Sequence, residues 1–195
     1  DRTIDTNKYE SRSTQSFIDN SLRENYTFNS TINGIEETDF ILLIGTNPRF
    51  EATMVNARIR KAYLNNNTKI ISLNDVGDLT YTYEFLDGKT QTIKNIAENK
   101  IEVSKKIIDS KKPMIIFGDS FLNAKTANYL FHSLKNFLLK NDKFTDEWNP
   151  LNILSTNAAT VGNFDLDIIN DKENLIKDLN ENRFELIYLL GQDNL

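Results

Sequence analysis

The amino-acid sequence predicts an α/β fold in which a mostly parallel sheet is flanked by helices, a Rossmann-like arrangement. Two observations lead to this prediction. Short apolar runs alternate along the chain with longer amphipathic stretches, which is the pattern of successive βα units. In addition, the run from residue 39 to residue 44 is apolar almost throughout, as expected of a parallel strand that is buried on both faces.

Five apolar runs are candidate strands. They lie at 39–44, 69–73, 113–117, 151–154 and 184–190. After the first strand, the turn Gly45–Pro48 reverses the chain, where Asn47 can cap a helix and Pro48 can occupy its first position. The predicted buried side of this helix comprises Val55, Ile59, Ala62 and Tyr63.

The other predicted helices differ in the strength of their apolar pattern. Residues 92–108 form a weaker helical region that is broken near Asn99. The clearest helix has a stripe that would pack on the sheet, made of Ala127, Leu130, Phe131, Leu134, Phe137 and Leu138. A short helix is marked by Leu175, Ile176 and Leu179. Residues 1–27 are polar and are expected to form an irregular arm ahead of one α/β domain over 28–195.

Composition limits the possible functions. The 195 residues, 39% of them hydrophobic, can bury one sizeable core, and a net charge of −5 argues against a nucleic-acid surface. No apolar run approaches the roughly 18 residues of a membrane-spanning helix, so membrane contact is expected only through partners. The chain has no cysteine, which excludes disulfides and Cys-ligated iron-sulfur clusters within it.

Small and hydrogen-bonding residues follow the candidate strands, where open α/β sheets bind ligands. The loops are Gly45–Pro48, Asn74–Asp75, Gly118–Ser120, Ser155–Asn157 and Gly191–Asn194. If this crevice binds a nucleotide or a pterin, the binding residues are Gly45, Thr46, Asn47, Arg49, Gly118 and Ser120. The interpretation we favour is that these are ordinary turn and cap residues. Carboxylates on the same rim, at Asp75, Asp119 and Asp193, would repel a diphosphate, and Arg49 can pair with Glu51 instead of a phosphate.

The sequence predicts no catalytic residues and no metal ligands. His132 is the only histidine, and its position opposite the apolar stripe predicts a solvated side chain. No glycine-rich phosphate-binding motif is present.

Two further groups of side chains raise the question of a binding surface. Tyr81, Tyr83 and Phe85 share one face of an extended segment; core packing is expected for Phe85, whereas core and interface are equally supported for the two tyrosines. Arg58, Arg60 and Lys61 favour a solvated helix face over a surface for an acidic partner.

Several segments carry a resemblance that goes beyond pattern. They are RENYTFNSTI at 23–32, IEETD at 35–39, LLIGTNPRFEA at 42–52, NARIRKAYL at 56–64, DLTYTYEFL at 78–86 and KKPMIIFGDS at 111–120, with weaker similarity in NILSTNAATVGNFDLD at 152–167 and YLLGQD at 188–193. In these segments the chain resembles the NuoG-type large iron-sulfur subunit of respiratory complex I (NADH:quinone oxidoreductase), in its molybdopterin-oxidoreductase-like region.

This resemblance implies a molybdopterin-oxidoreductase-like fold and a structural, non-redox role. In catalytic relatives the loops named above hold a molybdenum-pterin dinucleotide, whereas the complex I branch is generally thought to have kept the fold and lost the cofactor. No cofactor is therefore expected in this chain, and iron-sulfur clusters and FMN are expected in partner chains or missing segments. The resembled subunit continues further, so the domain is expected to be incomplete at its C-terminus.

The implied partners are other subunits of the complex I peripheral arm, including a cluster-bearing N-terminal part in the same or a separate chain. The implied location is the matrix side of the mitochondrial inner membrane, or alternatively the cytoplasmic side of a bacterial inner membrane; the abundance of Asn, Ile and Lys, which AT-rich codons encode, suits either. Two other functions stay open: a molybdopterin- or nucleotide-binding part of an active oxidoreductase, and a free-standing interaction module.

Overall fold

Five parallel strands form the centre of the fold. A computed structural model describes residues 19–166, 168 and 172–189. The described residues fall into two compact units: the first comprises 19–161, and the second comprises 162–166, 168 and 172–189. The strands belong to the first unit and are β1 (Phe40–Ile44), β2 (Lys69–Ser72), β3 (Glu84–Phe85), β4 (Pro113–Gly118) and β5 (Leu151–Leu154). Every strand pair is parallel and the order is β3-β2-β1-β4-β5. The predicted α/β fold with a parallel sheet is confirmed.

Helices connect the strands. They are α1 (Pro48–Glu51), α2 (Thr53–Asn66), α3 (Thr90–Ala97), α4 (Glu102–Asp109), α5 (Asp119–Leu122), α6 (Ala127–Lys140) and α7 (Thr160–Asp165), with short 3-10 helices at Arg23–Asn25 and Gly34–Glu37. The second unit contains α8 (Lys172–Asn180), which agrees with the predicted short helix. Among the described residues, no helix is both long and apolar enough to cross a bilayer.

Side chains of β1 and β4 alternate between two apolar cores, one on each face of the sheet. Leu42 and Phe117 belong to the core that α3, α4 and α6 cover, whereas Leu43 and Ile116 belong to the core that α2 and Trp148 cover. Because successive residues of a strand point to opposite faces, a strand at the centre of such a sheet must be apolar at every position. This requirement explains the unbroken apolar run of β1, all of whose residues are buried.

Helix α6 shows that the apolar periodicity predicts packing correctly. All six residues of the predicted stripe are buried, and Leu134 is fully buried in the core under α6. His132 lies on the outward side and its side chain is about half exposed, as predicted.

The predicted helix after β1 is divided in two. Asn47 caps α1 through its side-chain oxygen, which accepts a hydrogen bond from the backbone N–H of Arg49, and Pro48 is the first helical residue, as predicted. Ala52 leaves the helical conformation, with φ −153° and ψ 76°, so that α2 begins as a separate helix. The predicted interruption near Asn99 is confirmed, since Asn99 has a left-handed φ of 57° between α3 and α4.

Two predictions about strands need correction. Residues 184–189 form no strand, and residue 190 lies outside the described residues. Conversely, β3 was not predicted as a strand, yet its two residues pair with β2 at the edge of the sheet. Phe85 in β3 is exposed rather than in the core, at the edge of the sheet.

The segment from Glu24 to Asn29, at the end of the polar N-terminal arm, is held to β5 and α6 by hydrogen bonds. The Thr27 carbonyl accepts from the backbone N–H of Ile153 at 3.1 Å, and the Asn29 side chain donates to the Leu151 carbonyl at 2.7 Å. Lys135, on α6, donates to Glu24 at 2.7 Å. These bonds cover the free edge of β5, which would otherwise present unpaired backbone groups.

Asp39, just before β1, fixes the start of β4. Its carboxylate accepts hydrogen bonds from the Ser110 hydroxyl and from the backbone N–H groups of Lys111 and Lys112. Partial burial raises the pKa of Asp39, but these hydrogen bonds outweigh burial, and the net effect is a pKa below the usual value of 3.8.

We expect replacement of Leu134 by Ala to lower the free energy of unfolding by about 2–5 kcal/mol, because a fully buried leucine leaves a cavity when it is truncated. Chemical denaturation of the purified chain measures this. Leu139→Ala is the matched control on the same helix: Leu139 is 48% exposed, so its loss should change stability by about 0.5 kcal/mol or less. Equal effects at the two positions would contradict the packing described for α6.

Asp39 should also give the protein a defined acid sensitivity. A carboxylate whose pKa is lower in the folded state than in the unfolded state stabilises the fold above the unfolded pKa, and this stabilisation is lost as the pH falls through the folded value. Denaturation between pH 7 and pH 2 should therefore show a stability difference between wild type and Asp39→Asn that shrinks below about pH 3.8, the usual Asp value. A difference that does not change with pH would show that the hydrogen bonds do not depend on the charge.

Candidate functional site

Of the loops predicted to form a ligand crevice, those after β1, β2, β4 and β5 meet at one edge of the sheet. The chain leaves β1 in one direction along the sheet and reaches β4 and β5 in the other, so the switch point, where such folds bind ligands, lies between β1 and β4. Beside it is a shallow depression of about 230 Å³. Its lining comprises Gly45, Thr46, Asn47, Glu51, Asn74, Asp75, Val76 and Ser120.

The space directly at the switch point is filled by the loops themselves. A β-carbon added to Gly118 would lie closer than 3.0 Å to the Gly45 carbonyl oxygen and to Thr46, and one added to Gly45 would meet the backbone of Phe121 equally closely. Gly45 also has a left-handed φ of +64°, which favours glycine. The two glycines therefore permit close contact between the β1 and β4 loops.

The backbone donors at the start of α1 already have partners within the protein. The N–H of Arg49 donates to the Asn47 side chain at 3.2 Å, and the N–H groups of Phe50 and Glu51 donate to the Asn47 carbonyl. Pro48 has no N–H. In the β1 loop, the N–H of Gly45 donates to the Asn74 side chain at 3.1 Å.

Charged side chains at this edge are also engaged. Arg49 does not line the depression; its guanidinium pairs with Asp78 at 2.7 Å rather than with Glu51, the partner considered from the sequence. The backbone N–H of Thr80 and the Arg49 guanidinium hold the pKa of Asp78 below its usual value. Glu51 instead accepts a hydrogen bond from the Thr46 hydroxyl at 2.5 Å.

The remaining predicted loops have different roles. Asp119, after β4, accepts hydrogen bonds from the backbone N–H and the hydroxyl of Thr156 and so joins the β4 and β5 loops. Ser120 lines the depression, while Gly118 lies in the contact beneath it. The predicted loop 191–194, including Asp193, lies outside the described residues.

The aromatic segment after β2 binds helix α2. The Tyr81 hydroxyl donates to the Asn56 side chain at 2.8 Å, and the Asn56 amide donates to the Leu79 carbonyl at 3.1 Å. Burial raises the pKa of Tyr81 above its usual value. Tyr81 and Tyr83 both pack against the core under α2, which favours core packing over an interface for these two residues. A polar residue such as Asn56 on the buried side of a helix was the available sequence signal for this contact.

The described residues contain no group of three His, Cys, Asp or Glu side chains arranged to hold a metal ion. Residues 3–195 match the sequence model of the family described as Molybdopterin oxidoreductase. The chain belongs to the molybdopterin oxidoreductase family.

Within this family, three relatives resemble the chain closely. They are the NADH-ubiquinone oxidoreductase 75 kDa subunit of Reclinomonas americana (38% identical), the mitochondrial NADH-ubiquinone oxidoreductase 78 kDa subunit of Candida albicans (37%) and the mitochondrial NADH dehydrogenase (ubiquinone) iron-sulfur protein 1 of Solanum tuberosum (33%). Each comparison covers 89% of this chain but only 23–25% of the relative. The chain thus spans about a quarter of the length of these curated relatives, and the predicted resemblance to the complex I large subunit is confirmed.

The switch point of this molybdopterin oxidoreductase family member does not fit a phosphate-bearing cofactor. Such a group needs open space and free hydrogen-bond donors at the carboxyl edge. Here the contact between Gly45 and Gly118 occupies the space, and the N–H groups of Gly45 and Arg49 donate within the protein. The depression beside it carries the carboxylates of Glu51 and Asp75, which repel an anion.

Gly118→Ala tests whether this contact holds the loops together. The added methyl group has no room, so the free energy of unfolding should fall by about 1–3 kcal/mol. Gly162→Ala is the matched control: Gly162 lies in α7 with nothing within 4 Å of an added β-carbon, and alanine there should be neutral or stabilising by about 0.4–1 kcal/mol. Equal stability of Gly118→Ala and wild type in denaturant would show that the loops can separate freely.

Proposed function

We propose that this chain is a structural, non-redox part of the large peripheral-arm subunit of respiratory complex I. In this role it supports the transfer of electrons from NADH to quinone, which cluster-bearing subunits carry out. The observation that carries the proposal is the similarity to NADH-ubiquinone oxidoreductase 75 and 78 kDa subunits over 89% of the chain, at 37–38% identity.

Two features of the chain support a non-redox role. Iron-sulfur clusters are held mainly by cysteine thiolates, and the sequence contains no cysteine. The loops that would surround a pterin at the switch point are joined to one another instead, through the contact of Gly45 with Gly118 and the hydrogen bonds of Asp119 with Thr156. The iron-sulfur clusters and FMN of the proposed assembly would belong to segments or partner chains outside this one.

The location and partners follow from the same similarity. Two of the three relatives named above are described as mitochondrial, which supports a place at the mitochondrial inner membrane. We propose the matrix side, where other peripheral-arm subunits, including a cluster-bearing N-terminal part of the large subunit, would surround the chain. Contact with the membrane would occur only through the complex.

A second candidate function is favoured by the family match: a molybdopterin- or nucleotide-binding part of an active oxidoreductase. In that case the binding residues would be Gly45, Thr46, Asn47, Arg49, Gly118 and Ser120. The pairing of Arg49 with Asp78 and the filled switch point weigh against this function.

The test is to purify the native assembly that contains this chain in mild detergent, to identify its proteins by mass spectrometry and to quantify molybdenum and bound nucleotide per copy of the chain. We expect NADH-dehydrogenase and quinone-reducing subunits to co-purify with the chain. We expect no stoichiometric molybdenum and, apart from the FMN of the partner subunits, no stoichiometric nucleotide. A soluble particle that carries molybdenum in a one-to-one ratio would overturn the proposal in favour of the active oxidoreductase.

A further inference from the structure

Exposed apolar side chains are concentrated on the segment that comprises α1 and α2. Phe50, Met54 and Leu64 are 80%, 66% and 66% exposed, and they are the three most exposed large apolar side chains among residues 19–161. All three lie on the α1–α2 segment. Single exposed apolar residues are ordinary on protein surfaces, but a concentration of them on one helix indicates an interaction site.

The exposed residues follow the spacing of a helix-pairing seam. Met54, Ala57, Lys61 and Leu64 are separated by three, four and three residues and are all exposed, which is the a/d spacing of a coiled-coil face. Phe50, on α1, lies before the break at Ala52 and so is not part of this helical row. The opposite side of α2 is already buried against the sheet through Val55 and Ile59, so Met54 and Leu64 lie on the side that faces away from the sheet. We refer to Met54, Ala57, Lys61 and Leu64 as the α2 seam.

Positive charge accompanies the α2 seam. Arg58 and Lys61 both pair with the single carboxylate of Glu36, and Arg60 forms no ion pair with any described residue. Arg58, Arg60, Lys61 and Glu36 together therefore carry a net charge of +2, three positive charges against one negative, although the whole chain has a net charge of −5. A partner with carboxylates beside an apolar stripe would complement this surface, whereas a second copy would bring like charges together across a two-fold axis.

The extent of the relatives indicates where such a partner would come from. The chain spans 23–25% of subunits that it matches at 33–38% identity, so three-quarters of a comparable subunit consists of other polypeptide. Interfaces between permanently associated parts are more apolar than transient ones and resemble a domain core cut in half. The thioether of Met54 and the aliphatic side chain of Leu64 in the α2 seam suit such an interface.

We propose that the α2 seam is the docking surface for an amphipathic helix of the remaining part of the large subunit, with carboxylates of that helix facing Arg60. This proposal rests on the proposed function and names one partner within it. The apolar side chains of the seam would form the buried contact. Arg60 is exposed on α2 beside Lys61, so the facing side of the partner helix would be negatively charged.

Site-specific photocrosslinking in the native assembly tests the proposal. A benzophenone-bearing amino acid is placed at position 54 or 64 of the full chain, and at position 139 as a control, since Leu139 is also exposed but lies on α6. After irradiation, we expect positions 54 and 64 to crosslink to the remaining part of the large subunit and position 139 not to do so. Crosslinks from 54 and 64 to any other protein, to a second copy of this chain, or to nothing would overturn the proposal.

Charged substitutions give an independent measurement. Met54→Glu combined with Leu64→Glu should lower incorporation of the chain into the assembly by roughly tenfold or more, because central apolar contacts dominate interface energies. Leu139→Glu should leave incorporation unchanged. Arg60→Glu should lower incorporation further than Lys105→Glu, a charge reversal at an exposed position of α4. Equal effects of seam and control variants would contradict a specific docking surface.

The proposed function and this inference fail in different ways. If the unmodified chain does not co-purify with NADH-dehydrogenase subunits, the proposed function is wrong and the inference falls with it. If the chain co-purifies with them but the seam positions do not contact the large subunit, only the inference is wrong.

Discussion

The fold depends on the close contact between the loops that follow β1 and β4. These strands are neighbours at the centre of the sheet, and chain connections leave them in opposite directions. Such a topology normally leaves a crevice at the carboxyl edge, because the two loops diverge. Here Gly45 and Gly118 lack the β-carbons that would keep the loops apart, so the backbones of the two loops are in contact. The loops therefore pack against each other where an open crevice would otherwise lie.

Because the crevice is closed, polar groups around it hydrogen-bond or pair with one another instead of facing a ligand. A ligand-binding edge must keep backbone N–H groups free, yet buried or partly buried donors must also find partners. In this protein Asn47 and Asn74 accept those hydrogen bonds, and Arg49 and Asp78 neutralise each other. The residue types that would suit phosphate recognition thus serve to tie loops together. The composition of these loops is compatible with both roles, and only their geometry distinguishes them.

The sequence predicts elements well where burial imposes a strict period, and poorly where it does not. Continuous burial of β1 and the stripe of α6 leave unambiguous patterns: β1 was predicted to within one residue of its bounds, and every residue of the predicted α6 stripe is buried. The apolar residues after Phe184 have strand-like character, but a strand also needs a neighbour to pair with, which composition does not reveal. The edge strand β3 consists of only two residues, Glu84 and Phe85, both exposed, so it is too short to leave a burial period. Likewise, the pairing of Arg49 with Asp78 joins residues 29 positions apart, which no local pattern encodes.

Outside the closed crevice, α2 is the element of the first unit whose exposed side best suits a protein contact. Burial of one side of a helix requires only one apolar stripe, and additional apolar side chains on the other side reduce solubility unless something covers them. Helix α2 has Val55 and Ile59 on its buried side and the exposed Met54 and Leu64 on the other, and its basic residues carry a charge opposite to that of the chain as a whole. The break at Ala52 separates α1, which holds the exposed Phe50, from α2. The same segment therefore supplies Asn47 to the hydrogen bonds beside the switch point and Met54 and Leu64 to the proposed docking seam.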